Sequence, residues 1–304
     1  MFQSTALLAI LFVFLWNSGF IVAEYVMPNA GPYTQLFWRY STLALILLSY
    51  LVINNRYRWP GWSTAAPTFL VGILAHGVWL SCCLLSIQHD VPAGIVALIV
   101  ALQPLATGAL SGIVVGESTP KLRWVGLIVG FGGVVLTILA RVDFKDSTSL
   151  IAYFLPLGAV VAMTTATLLQ RKLELNRRSY ILPLALTLFY QCLATALVLI
   201  IPATLIEGLA VHWQPGFLGG MVWLIFAVSL CAYALLFALI KRIDATRVAS
   251  LFYLGPPITM LMAWAAFGDS VQTLDGVGMA IVCIGVVLTY LQTEDQAKQK
   301  NKLS

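Results

Sequence analysis

The sequence predicts an all-α membrane protein with ten transmembrane helices arranged as a 5+5 inverted repeat. Three observations carry that expectation. Apolar residues make up 60% of the chain and charged residues 10%, where a soluble domain carries roughly 25% charged residues. The apolar residues gather in stretches long enough to cross a hydrocarbon core of ~30 Å, which takes about 20 helical residues. The second half of the 304-residue chain repeats the first at a single spacing of 152 residues. Pro104 falls on Pro256, Thr107 on Thr259, Gly116 on Gly268, Glu117 on Asp269 and Ser118 on Ser270. The run Gly133-Val134-Val135-Leu136-Thr137 matches Gly285-Val286-Val287-Leu288-Thr289 residue for residue. Apolar segments share letters by composition alone, but a five-residue run, two prolines and an acidic end in one register mark a duplication.

The spans are expected at approximately 5–23, 33–53, 64–87, 91–114, 122–140, 149–170, 180–202, 216–240, 246–267 and 273–291. Span 1 has no basic residue before Arg39, and its apolar run exceeds a signal-peptide core, so it reads as a span and not as a cleaved leader. Span 4 carries Gln103-Pro104 and span 9 carries Gly255-Pro256-Pro257, each near the middle of its helix. Spans 5 and 10 are smoothed by Gly126, Gly130, Gly276, Gly278 and Gly285, which predicts close packing within each half, with a homodimer face as the alternative. Nothing alternates with period two, so the spans are helices and not barrel strands. The tail from Gln292 is a charged run too short to fold alone. The five cysteines, Cys82, Cys83, Cys192, Cys231 and Cys283, lack metal spacing and read as buried free thiols.

Ten spans and the basic residues fix an orientation. Fourteen of the 17 Lys and Arg, among them Arg56, Arg58, Lys121, Arg123, Arg171, Lys172, Arg242 and the tail lysines, fall on the side of the N-terminus. Only Arg141 and Lys145 fall opposite, in the linker between the halves, which predicts cytoplasmic termini. The net charge of +5 therefore reports topology. Basic residues in ones and twos at membrane edges give no footing for nucleic acid. Five spans per half, an odd number, turn the second copy upside down relative to the first. Residues 1–148 form the first five-helix repeat, and residues 149–304 form the second with its short tail.

Certain segments carry more than repetition. Phe14-Leu15-Trp16-Asn17-Ser18-Gly19-Phe20 in span 1, Phe37-Trp38-Arg39-Tyr40 in span 2, and the stretch from Ala97 through Gln103-Pro104 to Gly116-Glu117 in span 4 resemble motifs of EamA-type members of the drug/metabolite transporter superfamily. The resemblance covers the whole ten-span plan. It implies helices around a central cavity and outward movement of small metabolites, often amino acids or drugs, across a bacterial inner membrane.

The residues themselves nominate a site. Proline removes a backbone donor and clashes with the preceding turn. Carbonyls freed in this way need partners inside protein, so Pro104, Pro256 and Pro257 point to a helix-breaking, gating region at a midplane cavity. Gln103 is the polar group beside them, with Thr107 and Ser111 on its face. Arg39 is the one basic residue well inside a span, where arginine costs roughly 2.5–3.5 kcal/mol. With Gln35 and Thr42 it forms a stripe expected to face inward, its structural alternatives being helix carbonyls or Glu24. In the other half Thr187 and Gln191 stand at the places of Gln35 and Arg39. His76 lies mid-span with Trp79 and Cys83 on its face, and its counterpart is Val228. Trp16, Trp79, Tyr190, Tyr233 and Tyr253 suit a cavity wall, whereas Trp59, Trp62 and Trp213 suit an interfacial belt. Glu117 and Asp269 read as loop-end residues.

The sequence has no P-loop, HExxH or Cys/His metal cluster, so neither cofactor nor catalytic group is expected. The reading is a secondary transporter embedded in the lipid bilayer of the cell inner membrane, an efflux carrier that takes a small-molecule substrate by alternating access. Its rivals are a membrane-embedded enzyme, which needs a cluster of acids, bases or ligands at one depth, and a non-transporting receptor or assembly factor.

Overall fold

A computed structural model describes residues 2–116, 121–141, 147–176, 182–240, 242–243, 248 and 251–302. Glu117, Ser118, Lys145, Arg177, Arg178, Lys241 and Arg247, and most of the linker between the halves, lie outside the described residues.

Every regular element among the described residues is helical. The first half comprises α1 (Phe2–Val26), α2 (Pro32–Ile53), α3 (Trp62–Gly72), α4 (Trp79–Gln88), α5 (Ala93–Val100), α6 (Leu102–Val115) and α7 (Lys121–Arg141). The second comprises α8 (Ser147–Asn176), α9 (Leu184–Leu205), α10 (Pro215–Val222), α11 (Ala232–Ile240), α12 (Gly255–Phe267) and α13 (Thr273–Lys302). A π-helical stretch at Ile73–Val78 fuses α3 to α4, and another at Trp223–Cys231 fuses α10 to α11. Among the described residues, eight helices are long and apolar enough to cross a membrane. By that measure α12 and the apolar part of α13, Thr273–Leu288, are too short. The tail, too short to fold alone, continues α13 through Lys302, because extending an existing helix costs far less than nucleating one.

Local features recur at the spacing of the repeat. Span 4 breaks at Ala101, between α5 and α6, one residue beyond the carbonyl of Val100 that the ring of Pro104 would strike. The matching turn in the second half is at Tyr253–Leu254. In both halves the expectation of mid-helix prolines is corrected. Pro104 lies in the first turn of α6, and Pro256 and Pro257 lie in the first turn of α12, where the missing N–H has no partner to lose. Both α6 and α12 end on left-handed glycines, Gly116 at φ 78° and Gly268 at φ 77°.

Equivalent helices of the two halves pack antiparallel. Glu207, just past the end of α9, accepts the N–H groups of Tyr33 and Thr34 at 3.1 and 2.7 Å at the start of α2. Tyr190, near the start of α9, donates to the carbonyl of Arg58 beyond the end of α2 at 2.8 Å. Helices α7 and α13 meet along their glycines. A β-carbon on Gly278 would lie 2.7 Å from the Gly133 carbonyl oxygen, and one on Gly285 would lie 2.8 Å from the Gly130 nitrogen. These glycines therefore join the two halves, while Gly130 also packs on Leu105 and Leu102 of its own half. Their missing side chains let backbones from different halves approach, and this face is occupied inside the chain.

Arg141 ends α7 as a structural residue. It clamps the fully buried Asp275 with its Nε at 2.9 and 3.1 Å and with Nη2, which also donates to the Ser270 carbonyl at 2.7 Å. In the adjoining turn burial raises the Asp269 carboxyl above its ordinary range, against the pull of Arg141. The thiols divide. Cys83 and Cys192 are buried as expected and Cys82 is half-buried, but Cys231 and Cys283 are exposed on the outside of the bundle, where a thiol costs little against lipid.

Candidate functional site

Three adjoining hollows form one cavity between the halves, and Tyr233 borders all of them. The first, about 820 Å³ with its open mouth, is walled by Trp16, Phe20, Trp79 and Tyr233 and carries Arg39 and His76. The second adds Gln103, Pro104, Tyr253 and Pro256, so the broken segments of both halves face it. The third runs from His76 and Gln191 past Thr167 to Gln170, Arg171 and Glu174. It emerges at the end of the bundle that also holds Arg56, Arg58, Lys121 and Arg123, called the basic end below.

The polar groups of the cavity come as two related pairs. Arg39 on α2 is 7% exposed, and its Nε and Nη2 donate to Ser229 Oγ at 3.0 and 2.8 Å. Its guanidinium also lies 5.8 Å from the centre of the Tyr40 ring, in cation–π range. Gln191 on α9 stands where Arg39 stands in the other half, and its Oε1 lies 3.3 Å from His76 Nε2. Each pair thus joins the second helix of one half to the third helix of the other. Both His76 and Ser229 sit in the π-helical stretches. There the wider turn displaces side chains from the α-helical register, a device common at functional sites. Ser229 Oγ donates to the Leu224 carbonyl five residues back at 2.9 Å. Gly72 lets α3 approach α9 at this depth, since a β-carbon there would lie 2.5 Å from the Gln191 Cα.

The aromatic wall is interlocked. Trp16 lies 5.3 Å from both Tyr233 and Phe252, and Phe20 lies 6.4 Å from Trp79, all between ring centroids. Asn17 ties span 1 to α12, donating to the Val13 carbonyl at 2.7 Å and accepting from Thr259 at 3.2 Å. Gln103 turns its amide onto Thr107 at 3.1 Å.

Of the residues nominated from sequence, Trp16, Arg39, His76, Trp79, Gln103, Pro104, Tyr233, Tyr253 and Pro256 border the cavity. Pro257, Thr107 and Ser111 do not border these hollows. Tyr190 leaves the set: it is 1% exposed, packed on Trp59, Phe69 and Phe189. Its ring fills the contact between α9 and the α2–α3 turn and is not free to face a cavity. Glu24 makes no ion pair with Arg39 among the described residues; Ser229 takes that place. The sequence reading missed Ser229, Asn17 and Tyr40. The available signal for Ser229 was its place next to Val228, the counterpart of His76.

A helical membrane bundle enclosing an aromatic cavity with a few buried polar groups, open at one end, has the form of a membrane carrier. Comparison with known proteins agrees: the EamA-like transporter family model matches residues 3–139 and 150–291, once in each half, and the chain belongs to that family. Transporter YvbV of Bacillus subtilis is 25% identical over 96% of this chain and 93% of its own length. The inner membrane transporter YedA of Escherichia coli K12 is 23% identical over 91% and 87%. A probable amino-acid metabolite efflux pump of Salmonella typhimurium is 21% identical over 95% of each chain. A protein solved by crystallography matches the fold with a TM-score of 0.64 at 17% identity, covering 97% of this chain and 99% of that one.

Proposed function

We propose that this chain is a secondary transporter that exports amino acids or related small metabolites across a bacterial inner membrane by alternating access. In this reading ten spans form a 5+5 inverted repeat with both termini in the cytoplasm. The observation that carries it is the relation between the two polar pairs. Arg39–Ser229 and Gln191–His76 are related contacts, each joining the second span of one half to the third span of the other, and Arg39 and His76 border the same hollow. Two half-sites built on antiparallel copies can exchange environments when one half rocks against the other, which is the physical content of alternating access. The cavity opens at the basic end, which positive charge assigns to the cytoplasm, so the described state is the one that loads an export substrate. The printed name of the Salmonella relative favours amino-acid metabolites, and that of YedA favours the inner membrane.

The test is an untargeted comparison of solutes released by cells that overproduce the chain and cells that lack it. Specific release of one small-metabolite class is the expected result. Identical release profiles, with the protein verified in the membrane, would remove the transporter reading.

A further inference from the structure

We propose that the cavity selects by charge and takes small organic monoanions: an apolar or aromatic body bearing one carboxylate or similar oxyanion and no ammonium group. The proposal rests on the transporter reading above and narrows its substrate class.

Arg39 is buried, yet its only hydrogen-bond acceptor among the described residues is a hydroxyl oxygen, to which Nε and Nη2 both point. A hydroxyl neutralises no charge. The five-donor fork of a guanidinium matches a carboxylate through two parallel bonds, and Nη1 has no hydrogen-bond partner among the described residues. Buried charge without a counter-ion is costly and marks a functional position inside a membrane. A substrate anion entering the hollow beside Arg39 would supply the missing charge, while Trp16, Phe20, Trp79 and Tyr233 offer apolar faces for the rest of the molecule.

The cavity has nothing comparable for a cation. No Asp or Glu is among the described residues lining the first two hollows. The third has Glu174, which already accepts from Gln170 at 3.2 Å. It stands seven residues, or about 10 Å of helix, beyond Thr167 toward the basic end. An ammonium held near the aromatic wall would lose its water, find no carboxylate and feel the field of Arg39. A zwitterionic amino acid therefore gains at one end and loses at the other. The same skeleton with its ammonium removed or acylated keeps only the gain. Reactions that deaminate amino acids to 2-oxo acids, or that acylate their nitrogen, are the class that would supply such substrates.

The test uses three probes with one ring and three charges: 3-phenylpropanoate, phenylalanine and phenethylamine. Binding to the purified full-length protein in lipid nanodiscs is measured by calorimetry. Flux is measured in proteoliposomes with the leak of protein-free vesicles subtracted. The anion is expected to bind at least about tenfold more tightly than phenylalanine, since both carboxylates reach Arg39 and only phenylalanine brings an ammonium that is desolvated without a partner, with phenethylamine weakest. Arg39→Gln should close the gap between anion and zwitterion, and Arg39→Lys should keep part of it. Equal or tighter binding of phenylalanine or phenethylamine by the wild type overturns the proposal without any variant. A variant that weakens all three probes alike also overturns it, because Arg39 would then only hold the fold. Failure of all three to bind a protein that does release solutes from cells sinks the monoanion class and leaves the transporter reading standing. Absence of any release sinks the transporter reading itself.

Discussion

At the scale of single residues, the groups that matter most divide by whether their partners are near in the repeat or only in space. Arg39 and His76 stand out in the sequence because ionisable side chains inside a span are expensive, and the repeat points to Gln191 as the counterpart of Arg39. Ser229 was hidden because a π-helical stretch shifts its register by one residue relative to His76, and no motif announces such a shift. Arg141 was read as a loop charge. In fact it neutralises Asp275, which is 0% exposed and also accepts the backbone N–H of Gln272 at 2.8 Å. Their separation of 134 residues conceals the pair in the sequence. Removing one partner of a buried ion pair leaves a charge without compensation, which costs about 3–5 kcal/mol. Arg141→Met is therefore expected to lower the melting temperature of the detergent-purified protein sharply. The double variant Arg141→Met/Asp275→Leu should regain much of the loss. A single variant that melts with the wild type would show that the pair contributes nothing. Glu207 is a milder case: its carboxylate caps the backbone of α2. Glu207→Ala should cost about 0.5–2 kcal/mol, the usual range for a lost helix cap, read in the same melt.

At the scale of helices, the first eight expected spans and their approximate limits were legible because apolar length is a direct requirement of the bilayer, while the ninth and tenth are not long and apolar enough among the described residues. Partner choice was less so. The glycines of α7 and α13 announce close packing without saying with whom, and the answer is each other across the halves. They also differ in consequence. A β-carbon at Gly278 would meet the Gly133 carbonyl and overlap Thr137 Oγ1, whereas one at Gly276, two residues earlier, meets nothing within 4 Å. Gly278→Ala should destabilise the protein by roughly 1–3 kcal/mol through overpacking. Gly276→Ala should be neutral or slightly stabilising, because alanine is the better helix former. Parallel thermal melts of the two variants check this, and equal behaviour would mean that the helices do not meet along this face. Pro104 and Pro256 each lie in the first turn of a helix that follows a break, at Ala101 and at Tyr253–Leu254. The sequence located both breaks, and the repeat places them alike.

At the scale of the molecule, the period of 152 residues is the strongest statement the sequence makes, and its consequences reach the site. Antiparallel contacts of α2 with α9 and of α7 with α13, turns at Ala101 and Tyr253, and glycine caps at Gly116 and Gly268 all respect it. What the period cannot supply is which half carries the charge: the counterpart of Arg39 is Gln191 and that of His76 is Val228, so the halves share a frame but not a chemistry. The frame does predict topology. On the proposed ten-span plan fourteen of 17 basic residues fall on one side, and both termini are expected there. Reporter fusions after Asn54 and Ser304 should therefore read cytoplasmic, and one after Asn29 external. The cavity adds a second readout, because Gln170 borders its mouth at the basic end. In a variant without native cysteines, Gln170→Cys should react with a membrane-impermeant thiol reagent in inside-out vesicles and be protected in intact cells. Substrate that drives the carrier through its cycle should change the labelling rate, since closing that mouth is what alternating access requires. Labelling from outside, or an external C-terminus, would break the ten-span model and with it the argument that two antiparallel half-sites trade places.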